Sequence, residues 1–186
     1  MEIDSLLDGL QSSQQLTRAR TFGQLRAAIS EGDGRLSVVD PSRLFELLKE
    51  RLADSSWNVV HQCIKFLTEL MPGLGPDLDV YCPIILPSLV LKLGDSMVAI
   101  RRAGLEALKA YHGASRNTGH VVSVLLDGMD NRNPRTRRET LRAFTILLAS
   151  DMRSFDHIKL IQACINALKD DDDSVATAAT DLLDRK

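Results

Sequence analysis

The chain has 186 residues, 44% of them hydrophobic and 26% charged, with 23 lysines and arginines against 25 aspartates and glutamates for a formal charge of −2. A chain of this length buries enough surface to fold without a disulfide or metal staple, and near-neutrality excludes whole-molecule attraction to nucleic acid or acidic lipid. Aromatics at 4% are few for a β-sandwich or barrel, and Cys63, Cys82 and Cys164 form no CxxC pair, so they read as reduced thiols.

The opening MEIDSLLDGL lacks the basic start of a signal peptide, and the longest apolar stretch, Val80 to Leu91, is interrupted by Pro83, Pro87 and Ser88 and too short to span a bilayer. No membrane association is expected. Apolar residues fall at helical spacing from end to end, with no alternating run that would make a strand, so the chain reads as all-α.

The predicted elements come in pairs. The first helices of the pairs cover about residues 3–10, 42–52, 83–93, 119–129 and 156–168; the second cover about 15–29, 57–71, 97–112, 134–149 and 174–184. Linkers are expected at Glu31–Asp40, Pro72–Cys82, His112–Thr118 and Ser150–Phe155, where Gly, Pro, Asn or Ser interrupt the periodicity. The first helix of each pair ends on an apolar residue that is matched by another fifteen places later: Leu10 with Leu25, Leu52 with Leu67, Leu93 with Leu108, Met129 with Phe144, Leu168 with Leu183. These starts are separated by 42, 41, 36 and 39 residues, the period of a helix-pair solenoid of the HEAT or armadillo type. The expected architecture is an α-solenoid of about five HEAT-like pairs in one domain spanning 1–186, with units at about 1–30, 41–71, 77–112, 117–149 and 154–186.

Inside each unit the turn is polar: Gln11 to Gln14, Asp54 to Ser56, Asp95 and Ser96, Asp130 to Asn133, and Asp170 to Ser174. Asp, Ser and Asn are good N-caps, because their side-chain oxygens accept unpaired amide hydrogens of the next helix, and Pro134 suits a first helical position. In the second helices Val59, Ile100 and Val175 share one apolar column, and Phe22, Ile64, Leu105 and Leu141 another.

The segment Asp54-Ser-Ser-Trp57-Asn-Val-Val, followed one unit later by Leu93-Gly-Asp95-Ser96-Met97-Val98-Ala-Ile100-Arg101-Arg102-Ala-Gly-Leu, resembles the TOG domains of CLASP, crescerin and related microtubule regulators. Within that family Trp57-Asn-Val-Val-His61 and Val98-Ala-Ile-Arg-Arg-Ala are most similar to the crescerin group, which is associated with cilia. The resemblance implies a TOG-like paddle, a non-catalytic module of a longer protein, monomeric by itself. It would grip the acidic tubulin heterodimer or the microtubule lattice with the edge formed by its intra-unit turns, and act in the cytoplasm at the cytoskeleton, cilium or centrosome. TOG domains have six units where five are found here. They also place a tryptophan in the first turn, whereas Trp57 stands in the second; either residues 1–30 are an added pair or the pattern departs at this point.

On that edge the candidate contact residues are Trp57, Asn58, Met97, Arg102, Arg132, Arg135 and Arg138. Trp57, the only tryptophan, is either packed on the neighbouring unit or an exposed aromatic anchor. Met97 occupies the matching turn of the third unit, one residue earlier in register than Trp57, and is either solvent-facing or turned inward. Arg132 and Arg135 lie in the most basic stretch of the chain; Arg102 and Arg138, with His61 in the same column, are the arginines expected to be exposed. Arg18, Arg101 and Arg137 form a separate column, expected to pair with the turn aspartate of a neighbouring unit. Asp170 to Asp173 break the pattern by placing four carboxylates where the resemblance implies basic residues; they suit the N-terminus of the last helix and would repel an acidic partner.

Catalytic chemistry is not expected. No GxGxxG, GxxxxGK[ST] or HExxH occurs, and Ser115 lacks the second glycine of a nucleophile elbow. His61, His112, His120 and His157 are scattered, so neither cofactor nor metal is expected, and Cys63 and Cys164 read as core residues. The acidic fifth turn argues against nucleic acid as a partner. The competing reading is a generic HEAT scaffold whose protein partner binds elsewhere, for example along a concave helix face.

Overall fold

The computed structural model describes residues 3–32, 40–148 and 157–184. Among them are eleven α-helices and no strand: α1 (Ile3–Leu10), α2 (Gln15–Glu31), α3 (Pro41–Leu52), α4 (Trp57–Leu70), α5 (Leu78–Tyr81), α6 (Leu86–Leu93), α7 (Val98–Ala114), α8 (Gly119–Met129), α9 (Pro134–Leu148), α10 (His157–Ala167) and α11 (Asp173–Leu183). Each pair, α1/α2, α3/α4, α6/α7, α8/α9 and α10/α11, packs together, and successive pairs stack into two layers. One layer holds the first helices and the other holds α2, α4, α7, α9 and α11. This is the HEAT-like solenoid that the period of about 40 residues predicts.

The repeating leucines form its spine. Leu10, Leu25, Leu52, Leu67, Leu108 and Phe144 are fully buried, and Leu93 and Met129 nearly so. In the fifth pair the equivalent Leu168 and Leu183 are 42% and 40% exposed. Ile158, Ile161 and Ile165 stand out on the same helix, α10. Positions that match Ile161, namely Phe45, Leu86 and Val122, are buried where a further pair stacks on them, and among the described residues α10 packs on α8 and α11 with no further pair beyond it.

Within a pair the helices cross closely, because one side of the crossing is small. A Cβ on Gly9 would come within 2.3 Å of Thr21 Oγ1, and one on Gly128 within 2.6 Å of Val90 Cγ1 and 2.9 Å of Thr140 Oγ1. The same crossing is made by Lys92 with Gly104 in the third pair.

The third unit departs from the expected layout. The predicted linker Pro72–Cys82 is helical: 3-10 turns at Met71–Gly73 and Gly75–Asp77 lead into α5, and a third at Cys82–Ile84 leads into α6, so the first helix starts at Leu86 and not near residue 83. Proline explains the fragmentation. Pro72, Pro76, Pro83 and Pro87 each sit in the first positions of a new element, where a fixed φ is tolerated and the missing N–H is not needed. Met71, Leu78, Cys82 and Ile85 stay fully buried, so the broken path keeps its apolar side inward.

The linker after α7 is also shorter than expected, since that helix runs on to Ala114. It is fastened by Asp79 of α5, which accepts hydrogen bonds from Ser115 Oγ at 2.5 Å, Tyr111 Oη at 3.1 Å and the Arg116 N–H at 3.1 Å. Burial works against that carboxylate, but these bonds outweigh it and hold Asp79 below the usual aspartate range. His120 Nδ1 meets the Tyr111 hydroxyl at 3.2 Å. The other linkers fall largely (Glu31–Asp40) or wholly (Ser150–Phe155) outside the described residues.

Cys63, Cys82 and Cys164 are free and buried, and burial pushes the Cys82 thiol up to about 12 and the Cys164 thiol to about 11. Among the described residues no helix is long and apolar enough to cross a membrane, and no group of three His, Cys, Asp or Glu is placed to hold a metal ion.

Candidate functional site

The five intra-unit turns share one hydrogen bond. The residue two places after the terminal apolar position accepts, through its side chain, the backbone N–H two residues further on. The pairs are Ser12 with Gln14, Asp54 with Ser56, Asp95 with Met97, Asn131 with Asn133, and Asp170 with Asp172, at 2.8–3.2 Å. These polar residues therefore close the turn on itself. Only Asn133 and Asp172 also cap the following helix in the expected way, accepting from the Arg135 and Ser174 N–H at 3.0 and 2.9 Å.

The column of Arg18, Arg101 and Arg137 fastens the turns from behind. Each Nη1 donates to two carbonyls of its own turn: Ser12 and Ser13, Asp95 and Ser96, Asn131 and Arg132. Arg18 also pairs with Asp54 of the next turn at 2.8 and 2.9 Å, and Arg137 with Asp170 at 2.6 Å twice. Arg101 has no such carboxylate ahead of it, because Asn131 stands at that position; instead Asn133 Nδ2 and Arg135 Nη1 reach back to the carbonyls of Gly94 and Asp95 at 3.2 and 3.3 Å. Hydrogen bonds thus join the first turn to the second, the third to the fourth and the fourth to the fifth. The outcome is two fastened runs of turns along the edge, the first with the second and the third through the fifth.

The fifth turn is less available than its four carboxylates suggest. Asp170 is consumed by Arg137, whose hydrogen bonds hold it below the usual aspartate range against the effect of burial. Asp172 is lowered by the Ser174 hydroxyl and N–H. Asp171 and Asp173 remain exposed.

At the front of the edge, the first residues of the second helices form a column: Gln15, Trp57, Val98, Pro134 and Asp173. Trp57 is 53% exposed, and with Gln15, Leu16, Ser55, Ser56 and Asn58 it lines a cleft of about 310 Å³ between the first and second turns. Asn58 is exposed beside it. The His61 ring lies 6.4 Å from the indole, and burial, reinforced by Lys65, lowers the pKa of that imidazole.

Met97 is not the counterpart of Trp57. It is the N-cap of α7, matching Ser56, and is half-buried against the core, so the outward position of the third turn belongs to Val98. Arg132 and Arg135 are exposed in the fourth turn. Arg102 is exposed one turn into α7, whereas Arg138, expected to be exposed, is half-buried and ion-paired to Glu139 at 2.8 Å. The arrangement therefore gathers Trp57, Asn58, Arg132 and Arg135 on the turn edge, sets Arg102 just behind it, and turns Met97 and Arg138 into the framework. Sequence reasoning missed Leu16 and Val98, which are 56% and 50% exposed. Counting from the terminal leucines would have found Val98, five residues after Leu93 as Trp57 is five after Leu52.

No family model matches the chain. It is 32% identical over 68 residues to the crescerin-like protein che-12 of Caenorhabditis elegans, a match covering 37% of this chain and 5% of that protein. It is 25% identical over 178 residues to Protein MOR1 of Arabidopsis thaliana, covering 94% of this chain and 9% of that protein. The chain thus spans less than a tenth of the curated relatives it matches. Among solved structures it superposes on the MAST/Orbit N-terminal domain with a TM-score of 0.86 at 19% identity, covering 98% of this chain and 82% of that one. For a TOG domain whose structure addresses TOG–tubulin binding specificity the TM-score is 0.81 at 19% identity, over 97% and 74% of the two chains. For crescerin, described as using a TOG domain array to regulate microtubules in the primary cilium, it is 0.78 at 21% identity, over 98% and 76%. The chain has the fold of a TOG domain, an α-solenoid paddle of stacked HEAT-like helix pairs.

Proposed function

We propose that the chain is a non-catalytic module that binds the tubulin heterodimer or the microtubule lattice through the edge of its intra-unit turns, and so helps to regulate microtubule assembly. The observation that carries this reading is Trp57: a large aromatic side chain 53% exposed at the start of α4, beside a turn that Asp54 closes and that Arg18 fastens through the same carboxylate. Exposed apolar surface on a rigid frame is what an interface hot spot requires. The exposed Arg132 and Arg135 supply positive charge for an acidic partner further along the same edge. Arg102 and Asn58 extend that contact set, while Met97 and Arg138 support it from within. The relatives' names support a cytoskeletal setting, and those of crescerin a ciliary one.

The test is co-elution with purified tubulin and pelleting with microtubules. Trp57→Ala is expected to weaken binding about 30-fold, the effect of losing a hot spot worth about 2 kcal/mol, with the helical circular dichroism unchanged. Arg132→Glu with Arg135→Glu is expected to weaken it further. Absence of binding by the parent chain at high micromolar concentration would overturn the proposal. Modules of this kind are linked in arrays, where effective concentration multiplies a weak single affinity, so a tandem of two copies is measured in parallel.

A further inference from the structure

The layer of second helices is parted between the third and fourth pairs. α9 packs chiefly on α11 and α8, less on α6 and only lightly on α7, and the gap beside α7 is a groove of about 260 Å³. Its floor is Leu93 and the half-buried Leu105; its walls are Val98, 50% exposed, and Ile146, 39% exposed. On the rim stand Arg102, which is exposed and has no ion pair among the described residues, and Arg142, whose side chain is 58% exposed.

The charge of this groove is positive. Its lining carboxylate, Glu139, is already shared between Arg138 at 2.8 Å and Arg142 at 3.0 Å. Arg101 is turned away onto the carbonyls of its own turn. Arg142 and Ile146 also line a second hollow on the other side of α9, so the apolar and cationic surfaces continue across that helix. The stacking of pairs uses neither the exposed aliphatic walls nor the two rim arginines. A strip of aliphatic surface flanked by cations is complementary to a helix with leucines on one face and carboxylates beside them.

We propose that the α7–α9 groove docks an acidic amphipathic helical segment of a protein partner, its apolar residue seated between Val98, Leu105 and Ile146 and its carboxylates on Arg102 and Arg142. A phosphate polymer fits less well: it has no use for the aliphatic walls, and it would meet Asp181 at the far side of α9. The groove shares Arg102 with the proposed tubulin contacts but shares no residue with the Trp57 cleft, so Trp57→Ala separates the two readings.

The test is fluorescence anisotropy with a fluorescein-labelled peptide of repeated Glu-Glu-Leu-Glu-Ala-Leu, titrated with the purified chain at physiological salt. Saturable binding is expected, weakened about 10-fold or more by Arg102→Glu, by Arg142→Glu and by Ile146→Ser, and unchanged by Trp57→Ala. A peptide of equal charge with serine in place of leucine is expected to bind about 10-fold more weakly. Arg102→Gln, which removes the charge without reversing it, gives the same direction if the glutamate variant unfolds. No saturable binding by the parent chain, equal binding of the two peptides, or tighter binding of a single-stranded oligothymidine would each overturn the proposal.

Discussion

Arg137 of the fourth unit closes a two-pronged ion pair on Asp170 of the fifth, with Nε to Oδ2 and Nη2 to Oδ1 both at 2.6 Å, while its remaining nitrogen holds the carbonyls of Asn131 and Arg132. One side chain therefore shapes its own turn and anchors the next. Arg18 does the same between the first and second turns with Asp54, whose side chain is only 2% exposed.

Removing one partner of such a pair leaves a buried charge without compensation. Asp54→Ala strands Arg18, which is 8% exposed, and also frees the Ser56 N–H that Asp54 accepts at 2.9 Å. The expected loss is about 3 kcal/mol, read as a lower urea midpoint. A loss below about 1 kcal/mol, the range of exposed pairs, would show that the ladder does not stabilise the edge.

The same carboxylates set the acid limb of stability. For Asp54, burial favours the neutral acid, but Arg18, the Ser56 N–H and Arg51 outweigh it, and its pKa is lowered on folding; Asp170 is lowered chiefly by Arg137. A lowered folded pKa means that the unfolded chain takes up protons first. The contribution is complete above the ordinary aspartate value of about 3.9 and is lost as pH falls through the folded values. The stability gap between the parent and Asp54→Ala is therefore expected to narrow below about pH 4; a gap that widens there would contradict the assignment.

Gly128 measures how tightly α8 and α9 cross. A methyl group there would stand 2.6 Å from Val90 Cγ1 and 2.9 Å from Thr140 Oγ1, which forces side chains or helices apart. Gly128→Ala is expected to lower stability by about 1–3 kcal/mol despite its better helix propensity. Gly23→Ala meets nothing within 4 Å in α2, and is expected to stabilise by about 0.5–1 kcal/mol. Thermal melts of the two variants should move in opposite directions.

Trp57 and His61 form a reporter of the edge. Burial and Lys65 keep the imidazole neutral to lower pH than a free histidine, and its ring lies 6.4 Å from the indole. An imidazolium quenches indole emission more strongly than imidazole does. The single tryptophan is expected to emit at the long wavelength of an exposed indole and to dim as pH falls, with a midpoint below about 6.5. His61→Gln should abolish the dimming without shifting the wavelength; a blue-shifted emission would place the indole in the core.

The repeat and its helices were legible because they are local properties. Each second helix follows its terminal apolar residue at a fixed distance, and a second apolar residue fifteen places on, within that helix, repeats in every pair. The third unit was harder to read, because Pro72, Pro76, Pro83 and Pro87 look like a linker in sequence. Only the burial of Leu78, Cys82 and Ile85 against other units turns that stretch into short helical pieces.

The sequence alone determined an all-α solenoid, its period, its turns, and a column of arginines suited to a ladder, since these depend on spacing along the chain. Tertiary structure alone decided which charges are spent inside and which remain outside. Arg138 and Arg102 occupy the same column, yet Glu139 takes the first and leaves the second facing a groove. It also decided that Trp57 points outward beside Leu16 while Met97 turns in, and that α7 and α9 stand apart. The reason is physical: spacing fixes the face of a helix on which a residue lies, but its exposure depends on what other helices bring against that face.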